Sequence, residues 1–171
     1  MLTKTIAAVV VALAVVGGMT GCSSHQQDTT VRSADDPDLL AGCGPLPDQV
    51  IANTLHVPSV HQQSAPTICN WVGDYPAGGT VGLTYAWLRN DNLMTETKVA
   101  ADFGYQIERV VIKHFAGMYV RDPSDPGSCA VTISDTGIVT WWVHNRNHTA
   151  QPDPCAAAMS LMQATLAIDG V

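Results

Sequence analysis

The residues of this chain best equipped for chemistry are five cysteines, Cys22, Cys43, Cys69, Cys129 and Cys155. Their spacing bears on whether they bind metal, attack a substrate or cross-link. Structural zinc sites draw on close pairs such as C-x-x-C, and the sequence has none. A nucleophilic Ser or Cys needs a histidine and a third group beside it. No G-x-S-x-G motif announces such a group. His144 and His148, in "HNRNH", have the i, i+4 spacing that shares a metal on a helix. They fall instead at a strand end and in a polar loop, with no third ligand at a telling distance. Asp122 and Asp125, in "DPSDPG", offer two carboxylates for calcium, but two prolines and a glycine there spell a turn. The expectation is therefore no catalytic residue, no metal and no cofactor.

Cys22 stands apart from the other four. Lys4 precedes an unbroken apolar run over residues 6–16, followed by small residues at Gly17, Gly18 and Gly21. This is the three-part pattern of an export signal. The run is shorter than the roughly 20 residues that a bilayer-spanning helix requires. "MTGC" then sits where a bacterial lipobox sits, with narrow residues ahead of a thiol free to accept diacylglycerol. Met19 departs from the commoner Leu. Residues 1–21 are thus expected to be a lipoprotein signal peptide and Cys22 the lipidated anchor. Removing Cys22 from the count leaves an even set, which in an exported protein predicts two disulfides.

Behind the anchor, residues 22–40 are almost devoid of apolar side chains and predict a disordered tether. Coil scaling gives it a reach of roughly 25 Å. Residues 41–171 are one domain of ordinary size, without internal repeats. The whole chain carries a formal charge of −7, and losing Lys4 with the leader makes the remainder one unit more negative. An acidic surface repels phosphate backbones and anionic headgroups. Nucleic acid is excluded as a partner, and contact with the membrane is left to the lipid at Cys22.

The elements that must position these residues follow from pattern. "PLPDQVIANTL" predicts a short helix from Val50, Ile51 and Leu55. "HVPSVHQQSAP" reads as a polar connector. "TICNWVGDY" and "TVGLTYAWL" read as strands around a turn at residues 75–79. "DNLMTETKVAADF" predicts a second helix capped by Asn90 or Asp91, with Leu93, Val99, Ala100 and Phe103 as its apolar residues. "YQIERVVI", "GMYVR" and a hairpin come next. The hairpin joins "SCAVTIS" to "GIVTWWVH" through Asp135 and Thr136, with Gly137 free for positive φ. Asp153 and Pro154 open a last helix in which Cys155, Met159, Met162 and Leu166 share a face. The order, α-β-β-α-β-β-β-α, predicts an α+β fold: an antiparallel sheet flanked by N-terminal, middle and C-terminal helices.

The hairpin also constrains the bridges. Cys129 opens its first strand and so lies beside the end of the second, near His144. The last helix begins a short loop beyond that end, bringing Cys155 within reach on its apolar stripe. Cys129–Cys155 is favoured, which leaves Cys43–Cys69, although four cysteines formally allow three pairings.

"CGPL" before a first helix, "ICNWV" on an early strand, "GSCAV" followed by "WWV", and the terminal "DPCAAAMSLMQATLA" together resemble mycobacterial and other actinobacterial lipoproteins of the LprB/LprC type. The LprC-like members are the most similar. The likeness spans residues 43–167. It implies an exported, lipid-anchored protein of unknown function with a compact α+β domain, of the Mog1/PsbP type. It implies no reaction and transfers no functional residue.

The tryptophans carry the remaining expectation. Adjacent strand residues face opposite sides of a sheet, so Trp141 and Trp142 cannot both enter one core. One of them packs beneath the last helix, and the other meets a second helix, a pocket or solvent. Trp141, Trp142 and Trp87 are the candidate binding residues. The expected function is a non-catalytic accessory or sensor-like module contacting an envelope protein at the extracytoplasmic face of the membrane. The alternative is a carrier of a lipid or small apolar molecule. A third reading, ranked behind it, is an enzyme, which would require clustered polar residues in a cleft with perturbed pKa values. A closed apolar cavity would favour the carrier, and a shallow apolar patch the protein partner.

Overall fold

The structure, a computed structural model, describes residues 43–168 except 45 and 64–67. The signal peptide, Cys22 and the tether predicted from sequence lie outside the described residues. So does the end of the connector.

The chain runs α1 (Asp48–Leu55), β1 (Val60–Gln63), β2 (Cys69–Asp74), β3 (Thr80–Leu88), α2 (Leu93–Asp102), β4 (Gln106–Ile112), β5 (Phe115–Arg121), β6 (Ser128–Ser134), β7 (Ile138–Asn145) and α3 (Pro154–Ile168). All seven strands form one antiparallel sheet in the order β1-β2-β3-β7-β6-β5-β4. Two meanders, β1 to β3 and β4 to β7, meet where β3 pairs with β7. The architecture is the expected α+β fold, with the hairpin resolved as two strands and one strand added at the front. That strand, β1, lies in the segment read as a connector. Only Val60 of its four residues is buried, so it shows no alternation, and it forms because β2 offers a free edge.

Side-chain alternation divides the sheet into two unlike faces. The first packs beneath α1 and α3. There Trp71, Leu83, Tyr85, Val131, Ile133, Trp141 and Val143 meet Ile51 and Leu55 of α1 and Leu161, Met162 and Leu166 of α3. Trp141 is the hub, with ring centroids 4.9 Å from Tyr85 and 5.6 Å from Trp71. The buried stripe of α3 runs through Ala158, Leu161, Met162, Thr165 and Leu166, and Met159 stands at its margin instead of on it. Asp153 caps this helix as expected, its Oδ1 accepting from Cys155 N at 2.9 Å. At the other end of the chain, Trp71 Nε1 donates to Asp48 Oδ1 at 2.8 Å and fixes α1 to β2.

Both bridges join the expected partners, Cys43–Cys69 and Cys129–Cys155, with Cα separations of 5.2 and 5.0 Å. The hairpin register explains the second. Cys129 pairs across with Val143, and both side chains point toward α3.

Among the described residues, α2 is the one helix on the second face. Its small core holds Ala100 of α2 against Met118, Val120 and Ala130, with Leu93, Tyr105, Ile107 and Trp142 around it. Farther along this face the sheet turns polar, where Thr84 donates to Asn70 at 2.8 Å and the Thr132 and Thr140 hydroxyls lie 3.0 Å apart.

Candidate functional site

The site begins with a helix that covers little. Asn92, not Asn90 or Asp91, is the N-cap of α2, and its Oδ1 accepts from Met94 N and Thr95 N at 3.1 and 3.0 Å. Within the helix only Ala100 is buried. "LMTETKVAAD" has no broad apolar stripe, so α2 touches the sheet along a narrow line and leaves an open cleft on each flank. Val99 and Phe103, two of the apolar residues that predict this helix, are 43% and 72% exposed.

The first cleft, about 400 Å³, lies between the C-terminal half of α2 and the middle of the sheet. An aromatic row runs along it. Phe103 stacks on Tyr105 at 5.9 Å, Tyr105 meets Trp142 at 5.6 Å, and Trp142 stacks on His144 at 5.5 Å between ring centroids. Trp142 is locked at its polar end, where Nε1 donates to Ser128 Oγ at 2.7 Å. The same oxygen lies 3.0 Å from His144 Nδ1. An indole N–H can only donate, so the Ser128 hydroxyl accepts from Trp142, and its second lone pair or its own proton meets His144 Nδ1.

Burial lowers the His144 pKa, with Arg146 acting in the same direction and Asp125 against it. Glu96, on the opposite lip, is raised by burial first and then by its hydrogen bond to Asp91 and that residue's charge. His144 and Glu96 are both pushed toward their neutral forms. The cleft thus suits an apolar or aromatic surface with a few neutral hydrogen-bonding groups. The Ser128–His144 pair is poorly arranged for nucleophilic attack, because Ser128 is buried and its oxygen is engaged by Trp142.

The three tryptophans singled out from sequence separate. Trp142 lines the cleft. Trp141 is fully buried on the other face and donates to Thr165 Oγ1 at 2.9 Å, which makes it a core residue. Trp87 is half-buried on that same face, with the Arg89 guanidinium 4.2 Å above its ring. His148 pairs with Asp125 at 3.1 Å, and Asp122 accepts from the Ser124 backbone and hydroxyl, so "DPSDPG" closes as a turn. Sequence reasoning missed Phe103, Tyr105 and Glu96 as site residues. "DFGYQ", an aromatic on each side of a glycine just after a helix, was the available signal.

A second cleft, about 630 Å³, opens on the other flank of α2, toward β4 and β5. Leu93, Met94, Ala101, Val111, Ala116 and Met118 give it an apolar lining, and Lys98 and Arg109 are its charged residues.

A protein-family model described as "Protein of unknown function (DUF3558)" matches residues 17–167. The chain belongs to this family. No curated protein and no solved structure matches the DUF3558 chain. Within DUF3558, then, the clefts beside α2 must be understood from their own chemistry. Among the described residues of this DUF3558 protein no helix is long and apolar enough to cross a membrane.

Proposed function

We propose that this DUF3558 protein is an envelope lipoprotein of the LprB/LprC type. It is held at the extracytoplasmic face of the cell membrane through lipid on Cys22, and it acts by binding another envelope protein, without catalysis. The lipobox-like "MTGC" after a short apolar run supports the anchor. The engagement of the other four cysteines in two bridges supports an oxidising compartment.

The observation that carries the binding role is the aromatic cleft. Val99 and Phe103 stand exposed on its rim, beside Tyr105 and Trp142. Contiguous exposed apolar surface rimmed by polar groups marks interaction sites, and aromatic residues are enriched at their centres. The aromatic cleft is open to solvent, which favours surface contact over enclosed carriage there.

The test is in-cell photocrosslinking from Val99, with exposed Gln163 on α3 as the control position. One discrete polypeptide should be captured from Val99 and not from Gln163, and Phe103→Glu should abolish the capture. Equal capture from both positions, or capture indifferent to Phe103→Glu, would sink the assignment.

A further inference from the structure

We infer that the second cleft, between α2 and the β4–β5 hairpin, binds a single-chain anionic amphiphile: a long-chain carboxylate with its tail along Leu93, Ala101 and Met118 and its head at Arg109. This goes beyond the protein contact proposed above and uses the opposite flank of α2.

Three observations converge. The first is shape. A cleft of about 630 Å³ falls within the roughly 300–1,000 Å³ typical of small-ligand sites. It lies between one helix and the sheet.

The second is lining. Met94 and Val111 stand 81% and 70% exposed at its mouth, so an apolar tail would cover surface now left to water.

The third is charge. Among the described residues the lining contains two cations and no carboxylate, in a chain whose formal charge is −7. Lys98 is engaged by Asp102 at 2.5 Å. Arg109 has no hydrogen-bond or ion-pair partner among the described residues. By contrast, Arg121 on the neighbouring strand is tied to Glu108 at 2.9 Å. An unpaired guanidinium beside an apolar trough presents a planar fork of donors, which matches a carboxylate bidentately. Among the described residues, no Lys or Arg lines the aromatic cleft.

The full lipidated chain in phosphatidylcholine vesicles, photolabelled with a diazirine-bearing hexadecanoic acid and mapped by peptide mass spectrometry, tests the assignment. Adducts should fall within residues 93–101 and 109–118. Excess hexadecanoate should suppress them, and hexadecyltrimethylammonium, which has the same tail and the opposite charge, should not. Arg109→Glu should cut labelling about tenfold or more, the scale of losing a charge-assisted hydrogen bond. Its melting temperature should not change, because the side chain is exposed. Phe103→Ser in the other cleft should leave labelling intact. Labelling that ignores Arg109→Glu, equal competition by the ammonium, adducts in the aromatic cleft or no saturable labelling would each overturn the site. None of these outcomes would touch the crosslinking result from Val99.

Discussion

Trp141 donates its indole N–H to Thr165 Oγ1 at 2.9 Å, and through this bond the central strand β7 is tied to α3 inside the core. The Thr165 hydroxyl passes its own proton to Leu161 O at 3.0 Å, so both partners are satisfied. Thr165→Val should strand a buried N–H and lower the unfolding free energy by about 1–3 kcal/mol. Trp141→Ala should cost about 3–5 kcal/mol, the range for emptying an aromatic site in a core. Trp142→Ala, at a half-buried position one residue away, should cost clearly less. Equal losses at the two tryptophans in urea unfolding would contradict the division of the sheet into two faces.

Each disulfide joins cysteines 26 residues apart. Loop-closure entropy then predicts that replacing either pair by alanine costs about 3.5 kcal/mol, equal for the two bridges. Chemical denaturation of the two double variants checks this. A bridge whose loss costs nothing would show that its loop is already constrained in the unfolded chain.

Acid should weaken the fold through His144. Its folded pKa lies below that of the free side chain because burial disfavours the charged ring. The unfolded chain therefore takes up the proton first, near its ordinary value of about 6.5, and the folded chain only lower down. The contribution is complete above that value, is lost as pH falls toward the folded pKa, and is constant below it. Glu96, raised by burial, works in the opposite sense. His144→Gln keeps a hydrogen-bonding group beside Ser128 but cannot titrate, so its melting temperature should fall less between neutral and mildly acid pH.

The cap of α2 is a separate handle. Asn92→Ala removes the acceptor for Met94 N and Thr95 N and should cost about 1 kcal/mol, the usual scale for an N-cap. Because α2 buries only Ala100, the loss should appear mainly as faster amide exchange across residues 95–101. Exchange in α3 should be unchanged.

Phe103→Ser should leave stability within about 0.5 kcal/mol, as exposed positions do. It should also shorten retention on a hydrophobic-interaction column. A large fall in melting temperature would make Phe103 a core residue after all.

Much of this architecture is legible in residue order. Asp153-Pro154 marks α3, "SCAVTIS" and "GIVTWWVH" mark the hairpin, and the hairpin register carries Cys129 toward Cys155. The strand β1 escapes notice because a strand with one buried residue has no period to detect. The face of Trp142 follows from alternation, but what lies over it does not. Val99 and Phe103 sit at spacings that suit a buried helical face, and tertiary placement leaves them in solvent. The cleft exists because α2 falls short of covering the sheet, and helix coverage is a property of packing, not of local pattern.

The bridges also have a chain order. Cys43 pairs with Cys69 and Cys129 with Cys155, so consecutive cysteines join and the two loops neither nest nor interleave. For a chain threaded across a membrane N-terminus first, as the exported protein proposed here would be, the first loop is complete before Cys129 arrives. Oxidation in order of emergence then gives the native set without reshuffling. The one competitor, Cys22, is the thiol that acylation would withdraw. Lipid attachment at Cys22 would in this way double as quality control over oxidative folding, by removing the cysteine that could mispair.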